Sequence, residues 1–294
     1  MDNKAKYLKY KTKYFQLKNK IGGNIKLFQN NVIYESQTGF PIVTQNSEFT
    51  YIVSNTNGNY CIHSSMNNKN PYETSNNYEY YMLSGLLIKN QPENYLLIGF
   101  GGGYTAKLLL KLLPNINLDI VEYSDEMIHV GKKYFNFISS PNTNIYINDG
   151  VEYIKNLREK KYDIISIDAF NGDGYIPENF LTDSFFNKIK EHLTENGLLI
   201  INSILESITV KNLLEKIFDY FICITIAGNK INNQNSYDNL MNNINERINY
   251  VFIASMNNFI DITKLNKFNM PNDINIPIDD MYDVLVTSIN RKII

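Results

Sequence analysis

The chain has 294 residues, a formal net charge of −2 and 44% hydrophobic residues. This composition is typical of a globular protein with a substantial core, and the near-zero charge excludes a general electrostatic attraction to nucleic acid. The 2 cysteines lie apart in apolar stretches and the 3 histidines are scattered, so we expect neither a disulfide framework nor a metal site.

Other features of the sequence concern the compartment. No apolar run approaches the roughly 20 residues that a membrane-spanning helix needs. The N-terminus begins with charged residues and lacks the apolar centre of a signal peptide. Together with the low cysteine content, these features predict a cytoplasmic protein in a reducing compartment, without a membrane or nucleic-acid partner.

Residues 1–23 form the first predicted element, a basic amphipathic helix that ends at Gly22-Gly23. Its apolar stripe has spacings of three and four residues and consists of Tyr7, Tyr10, Tyr14, Leu17 and Ile21. The many lysines indicate either a basic arm for nucleic acid, a membrane or a partner helix, or the solvated face of a packed helix. The apolar stripe favours the second interpretation, a helix that docks on its own body or pairs with another copy.

Residues 24–75 are predicted to form a small antiparallel β domain. Short runs rich in β-branched and aromatic residues, such as VIYES, PIVT and FTYIV, alternate with Asn, Gly and Ser. Asn57-Gly58, between two such runs, is a signal for a two-residue hairpin turn. A helix is predicted to follow over residues 78–89, ending before Pro92.

From residue 94 onward, apolar runs typical of strands alternate with amphipathic patterns typical of helices. Continuous apolar strands between helices indicate a parallel sheet that is covered on both faces. The sequence therefore predicts an α/β fold, with a Rossmann-like, doubly wound, mostly parallel sheet of seven strands over residues 76–294. The Asn-rich stretch 229–248 is predicted to be an exposed insertion.

A glycine-rich loop containing Gly99, Gly101 and Gly103 separates the first strand of this sheet from a helix. Glycines let the backbone turn tightly and approach a ligand, and the start of the helix offers free N–H groups. A dinucleotide fingerprint requires glycine where this chain has Tyr104. The spacing therefore disfavours NAD, and it resembles the S-adenosylmethionine loop of class I methyltransferase-like folds.

Acidic residues end the next two strands. Glu122 has the acceptor capacity to bind both hydroxyls of a ribose, and Asp149, which precedes Gly150, is able to accept from an adenine amino group. The alternative for each is a solvated carboxylate or a helix cap, and Asp149 is well placed to cap the following helix. Because ligands of doubly wound sheets bind at these strand ends, we expect the loop, Glu122, Asp149 and Gly150 to hold an S-adenosyl nucleoside.

Asp168 and Asp173 follow the fourth strand and are the candidate catalytic residues. We expect Asp168 to steer a cationic amine and to receive its proton as the amine attacks an electrophilic carbon. The glycines beside Asp173 make a simple turn an equal alternative there. His63, Glu79 and Tyr80, from the preceding segment, are candidates for the substrate side, although packing of the helix is the favoured interpretation for Tyr80.

Several short motifs follow one another in a distinctive order: Val121-Glu122, Lys133-Tyr134-Phe135, Asp149-Gly150, Tyr162-Asp163-Ile164-Ile165, Asp168-Ala169-Phe170, Pro177, Leu181-Thr182, Phe185-Phe186 and Ile278-Asp279-Asp280. With the glycine loop, this order resembles the spermidine synthase family of polyamine aminopropyltransferases, especially its bacterial spermidine synthase-like branch. The resemblance extends over roughly residues 30–285 and is densest over residues 94–203.

The resemblance implies a small β domain before a Rossmann-like domain, commonly in a homodimer. It implies transfer of an aminopropyl group from decarboxylated S-adenosylmethionine to a small-molecule amine, without a metal. Glu122 would then hold the ribose, Asp149 the adenine and Asp168 the attacking amine. The basic N-terminal segment and the many asparagines also resemble proteins of large DNA viruses, for which the location would be the host cytoplasm or the virion.

The chain departs from the family just after the glycine loop, where Tyr104 replaces an Asp that binds the ammonium of the aminopropyl group. Residues 66–70 also carry no carboxylate where the family has an acidic patch. Two alternatives therefore stay open. One is an S-adenosylmethionine-dependent methyltransferase on the same fold, and the other is a non-catalytic descendant that works as a binding module.

Overall fold

A computed structural model of the chain describes residues 31–56, 59–171, 175–227, 230–231, 248–257, 265, 271, 274 and 276–290. Three predicted features lie wholly or mostly outside the described residues: the basic helix over residues 1–23, the Asn57-Gly58 turn and the Asn-rich stretch 229–248. The described part of the chain contains one sheet of four strands and one of eight.

The N-terminal sheet is antiparallel, as predicted. Its strands pair in chain order and are β1 (Val32–Glu35), β2 (Ile42–Gln45), β3 (Phe49–Thr56) and β4 (Asn59–Asn67). The pairing of β3 with β4 shifts by one residue, because Ser64 lies opposite Ile52 whereas Ile62 lies opposite Val53. His63 is therefore the extra residue of a β-bulge, a feature that bends a strand and changes where its side chains point.

The second sheet is built from the alternating strands and helices. Its strands are β5 (Asn94–Ile98), β6 (Asn117–Glu122), β7 (Thr143–Ile147), β8 (Tyr162–Ile167), β9 (Leu193–Ser203), β10 (Tyr220–Ala227), β11 (Lys230–Ile231) and β12 (Ile248–Ser255). Their spatial order is β11-β10-β12-β9-β8-β5-β6-β7. Strands β5 to β9 pair in parallel, and β12 is antiparallel to both of its neighbours.

The prediction of a mostly parallel sheet with seven strands is confirmed. The seven predicted strands are β5 to β10 and β12, and all of them except β12 point in one direction. The two-residue β11 at the edge comes from the Asn-rich stretch, where the sequence has no apolar run that would indicate a strand. The order of strands reverses between β5 and β8. This reversal is where ligands of doubly wound sheets bind.

The helices among the described residues are α1 (Tyr78–Tyr81), α2 (Gly85–Ile88), α3 (Tyr104–Leu112), α4 (Asp125–Tyr134), α5 (Gly150–Asn156), α6 (Asp183–Glu191), α7 (Ser207–Ile217) and α8 (Ile278–Asn290). Side-chain oxygens of Ser124, Asp149 and Thr182 cap the first turns of α4, α5 and α6. The sequence did not lead us to predict α8.

The prediction of one continuous helix over residues 78–89 is wrong, because this segment forms two short helices, α1 and α2. Between them the backbone N–H groups bond three residues back, from Leu83 to Tyr80 and from Ser84 to Tyr81. These are 3₁₀-type bonds, which tighten the helical path. The tight turn brings Gly85 so close to the sheet that an added Cβ would lie 2.6 Å from Cδ1 of Ile200.

Both faces of the large sheet are buried around its central strands. On β5, Leu97 belongs to the core on one face, and its neighbours Leu96 and Ile98 belong to the core on the other. This arrangement accounts for the continuous apolar run of the strand, because a strand covered on both faces has no solvent-facing position.

Glu126 on α4 connects the N-terminal sheet to the domain that contains the large sheet. Its carboxylate accepts hydrogen bonds from the hydroxyls of Tyr34 and Ser36, the second at 2.7 Å. The bond to Glu126 and burial raise the pKa of Tyr34 to about 12. These contacts hold the four-stranded sheet beside the glycine loop.

Candidate functional site

The glycine loop meets the end of β8 at the reversal of strand order. Gly99 has a φ of 90°, and a Cβ on it would lie 2.3 Å from the carbonyl oxygen of Asp168. The backbone N–H of Asp168 donates to the carbonyl of Ile98 at 2.9 Å. Only glycine permits both this conformation and this approach, so the loop and the backbone of Asp168 are in direct contact.

Backbone N–H groups of the loop are engaged by the protein itself. The N–H of Phe100 donates to Oε2 of Glu122 at 2.9 Å, and the N–H of Gly102 donates to Oγ of Ser64 at 2.9 Å. The N–H of Gly103 donates to the carbonyl of Phe100 at 2.8 Å. A pyrophosphate needs such donors free. These three N–H groups are therefore already paired and are not free for a phosphate.

Gly101 and Gly103 also adopt left-handed conformations, with φ of 54° and 77°. Gly103 is the N-cap of α3, and a Cβ on it would contact the ring of Phe100 at 2.5 Å. The three glycines named from the sequence thus have structural reasons for lacking a side chain.

Glu122 lies at the end of β6, directly beside the loop. Its two carboxylate oxygens accept from the backbone N–H groups of Phe100 and Ser124, at 2.9 and 3.0 Å. Burial raises the pKa of Glu122, while these backbone donors act in the opposite direction. The donors fix the carboxylate, which keeps acceptor capacity for a hydroxyl of a ligand.

Asp149 is a helix cap in this structure. Its Oδ1 accepts from the N–H groups of Val151 and Glu152 at 2.8 and 3.0 Å, and its Oδ2 accepts from Asn179 at 3.3 Å. Gly150 is buried under it, where a Cβ would lie 2.6 Å from the side chain of Ile98. Helix capping and close packing therefore account for this pair, and a contact with adenine stays a prediction.

Asp168 is held by side chains from two other elements. Nδ2 of Asn202, on β9, donates to its Oδ1 at 2.9 Å, and the hydroxyl of Tyr78, on α1, also hydrogen-bonds to its carboxylate. Burial raises the pKa of Asp168 to about 6, against the effect of these two donors. The result is an oriented carboxylate whose pKa lies above the usual range of an aspartate.

Glu79 lies behind Asp168 and is only 3% exposed. Its carboxyl group hydrogen-bonds with the hydroxyl of Thr74, which lies 2.9 Å from Oγ of Ser65 on β4. Burial raises the pKa of Glu79 well above its usual value, and the charge of Asp168 acts in the same direction. The nearby Lys107 has its own pKa lowered to about 8 by burial.

His63 and Tyr80 each have partners within the protein. The ring of His63 lies in the N-terminal sheet, with Nε2 2.8 Å from Oγ of Ser54. Tyr80 is buried, and its ring packs edge-on against Tyr104 at 5.9 Å. This position agrees with the packing role favoured for Tyr80. Asp173 lies outside the described residues.

Tyr104 itself points into the core. It is 2% exposed, and its hydroxyl donates to the carbonyl oxygen of Tyr72 at 2.6 Å. A buried hydroxyl with a backbone partner is satisfied. The side chain of Tyr104 therefore takes no place on the ligand side of the loop, either as a carboxylate substitute or as an obstruction.

The sequence analysis gave no role in the site to four polar residues that lie beside the glycine loop or the ends of β8 and β9: Ser64, Tyr78, Asn202 and Glu206. Glu206 follows β9 and accepts from the backbone N–H of Ile176, and its Oε2 has no hydrogen-bond partner among the described residues. Burial raises its pKa to about 7. Asn202 and Glu206 lie at the end of a parallel strand, so the strand-end rule used for Glu122 would have found both.

Two further observations concern the described residues. Within these ranges, no three or more His, Cys, Asp or Glu side chains are grouped so that they could hold a metal ion. In the same part of the chain, every helix is too short or too polar to cross a membrane.

Comparison with known proteins identifies the family. The model of the spermine/spermidine synthase domain matches residues 77–225, which is half of the chain. The chain belongs to the spermine/spermidine synthase family. Its match covers β5 to β9 and α1 to α7, and thus the glycine loop, Glu122 and Asp168.

Two curated polyamine aminopropyltransferases match part of the chain. A polyamine aminopropyltransferase of Vibrio vulnificus is 41% identical over 123 residues, which is 41% of this chain and 41% of that protein. One from Prochlorococcus marinus is 34% identical over 119 residues, 39% of this chain and 42% of that protein. The chain thus spans about two fifths of the length of these relatives.

The fold extends beyond the region of sequence similarity. Spermidine synthase from Thermotoga maritima superposes with a TM-score of 0.58 and 18% identity, over 88% of this chain and 84% of that one. A probable spermidine synthase from Corynebacterium glutamicum gives a TM-score of 0.60 at 18% identity, over 76% and 79%. These structures share the fold of this protein.

Proposed function

We propose that this protein is an aminopropyltransferase that uses decarboxylated S-adenosylmethionine and a small-molecule amine. The observation that carries the proposal is the position of Asp168. This carboxylate touches the glycine loop through its backbone and is oriented by Tyr78 and Asn202. The similarity to polyamine aminopropyltransferases of Vibrio vulnificus and Prochlorococcus marinus supports the same reaction.

The nucleoside part of the proposed substrate lies along the tips of β5, β6 and β7. Glu122 would accept from the ribose hydroxyls, the loop would contact the sugar, and Asp149 or its helix start would lie beside the adenine. The engaged N–H groups of the loop support an uncharged sugar rather than a phosphate at this place. A spermidine synthase of the same fold has been solved in complex with the transition state analogue AdoDATO.

In the proposed reaction the protein positions the two substrates and accepts a proton from the amine. A neutral amine nitrogen attacks the aminopropyl carbon, a C–N bond forms, the C–S bond breaks, and the sulfonium leaves as the neutral thioether methylthioadenosine. Asp168 takes the proton that the amine loses. Because the sulfonium is already an activated leaving group, orientation of the two reactants supplies much of the remaining rate enhancement.

A direct test measures ligand binding and product formation on the full chain. Calorimetry compares S-adenosylmethionine, its decarboxylated form and methylthioadenosine. We expect at least tenfold tighter binding of the decarboxylated form than of S-adenosylmethionine, about 1.4 kcal/mol. Mixing the decarboxylated form with an aliphatic diamine should release methylthioadenosine. Binding without release, with every diamine of three to five carbons, would contradict the proposal.

A methyltransferase is the second candidate. The eEF1A lysine and N-terminal methyltransferase of Homo sapiens is 28% identical over 148 residues, 45% of this chain and 21% of that protein. The buried Tyr104 supplies no carboxylate for an aminopropyl ammonium, which also favours this candidate. Tighter binding of S-adenosylmethionine than of its decarboxylated form would support it. If no nucleoside binds, the non-catalytic alternative takes precedence.

A further inference from the structure

Ser64 connects the N-terminal sheet to the glycine loop. It lies on β4, is 3% exposed, and accepts the backbone N–H of Gly102 through Oγ at 2.9 Å. The β-bulge at His63 immediately precedes it. Because a bulge changes the direction in which the next side chains point, it helps to aim this hydroxyl at the loop instead of along the sheet.

The loop has little room to move under this contact. Gly101 has a φ of 54°, and a Cβ on it would lie 2.8 Å from Oγ of Ser64. On the other side, Glu122 holds the N–H of Phe100. The loop backbone is thus fixed between two side-chain acceptors, one from β6 and one from β4, which belong to different sheets.

We propose that Ser64 is a positioning residue of the nucleoside site, which sets the glycine loop in the conformation that receives the sugar. This inference rests on the proposed function and adds a residue of the N-terminal sheet to it. Ser64 does not touch the reacting atoms. Its effect should therefore appear in the affinity for the nucleoside and not in the rate of the bound complex.

The loss of the hydroxyl has a defined consequence. Without Oγ of Ser64, the N–H of Gly102 is buried next to a methyl group, and the loop must shift or admit water to satisfy it. The shifted loop no longer fits the sugar. We expect the dissociation constant of methylthioadenosine to rise about five- to tenfold, the size of one lost hydrogen bond.

The experiment uses the full chain with Ser64→Ala and the matched control Ser255→Ala. Ser255 is also buried, and its Oγ donates to the carbonyl of Gly197 at 3.2 Å, at the opposite end of the large sheet. Calorimetry measures the affinity for methylthioadenosine. Kinetics with decarboxylated S-adenosylmethionine and a diamine separates KM from kcat, and thermal unfolding reports the stability of each variant.

The expected result for Ser64→Ala is a raised dissociation constant and a raised KM for the nucleoside substrate, with kcat and the KM for the diamine within twofold of the wild type. Ser255→Ala should change only the unfolding temperature. If Ser64→Ala does not fold, Ser64→Cys replaces it, and its weaker acceptor should give an intermediate affinity.

Two results would overturn the inference. If the wild type binds methylthioadenosine and Ser64→Ala binds it as tightly as Ser255→Ala does, Ser64 has a purely structural role and the proposed function stands. If the wild type binds none of the nucleosides, the proposed function itself fails and the inference fails with it.

Discussion

Asn202 donates its side-chain N–H to Oδ1 of Asp168 at 2.9 Å, while the hydroxyl of Tyr78 hydrogen-bonds to the same carboxylate. The two donors come from β9 and α1, so they fix the carboxylate from separate elements of the fold. A carboxylate has about four acceptor positions. Two therefore remain for an incoming amine, and the orientation of Asp168 is set before the amine arrives.

Replacement of Asp168 by Asn should separate catalysis from nucleoside binding. The amide cannot take a proton from the attacking amine, so we expect turnover to fall by about 10²- to 10⁴-fold. The affinity for methylthioadenosine should stay within twofold, because Glu122 and the loop are untouched. Asp183→Asn, on the exposed first turn of α6, is the control and should retain full turnover. An equal loss of affinity and turnover in Asp168→Asn would contradict the assignment.

The pH dependence of kcat/KM should follow the ionisation of Asp168. Its pKa is raised to about 6 by burial, and only the ionised form accepts a proton. We therefore expect kcat/KM to decline as the pH falls through about 6. In Asn202→Ala a donor that lowers this pKa is lost, so the decline should move to higher pH. An unchanged profile in that variant would show that another group controls the acidic limb.

The sequence was sufficient to predict the strands β5 to β10 and β12 and the helices α3 to α7, because strands covered on both faces and amphipathic helices each leave a clear pattern. It was also sufficient to place Glu122 and Asp168, since the ends of parallel strands meet at one edge. Asn202 also lies near the end of a parallel strand, but we did not predict it as a site residue, because its amide carries no charge.

Contacts between distant segments could not be foreseen. Ser64 meets Gly102 across 38 positions, and the pairing depends on a one-residue bulge that local propensity does not reveal. The direction of Tyr104 was also open, because a residue at the start of a helix is able to face either the ligand or the core. The partner of its hydroxyl, the carbonyl of Tyr72, exists only in the folded chain.

Glu122 should control nucleoside affinity in two ways. Its carboxylate is the proposed acceptor for the ribose hydroxyls, and it also holds the N–H of Phe100 in the loop. We expect Glu122→Ala to weaken the binding of methylthioadenosine at least tenfold, as measured by calorimetry. Glu122→Gln keeps one acceptor oxygen and should lose less. Wild-type affinity in Glu122→Ala would remove Glu122 from the ribose site.

Glu79 should make the protein less stable as the pH rises. Its folded-state pKa is raised well above 4.5, mainly by burial. Above pH 4.5 the unfolded chain loses this proton while the folded chain keeps it, so folding takes up a proton. The free energy of unfolding therefore decreases by up to about 1.4 kcal/mol per pH unit, until the folded-state pKa is passed.

Glu79→Gln removes this titration and preserves the size of the side chain and an acceptor for Thr74. Urea unfolding of both proteins between pH 5 and 7 measures the difference, in which the contributions of other groups largely cancel. We expect Glu79→Gln to gain stability relative to the wild type as the pH increases. Parallel curves for the two proteins would mean that Glu79 ionises normally in the folded state, and that the charge behind Asp168 is present at neutral pH.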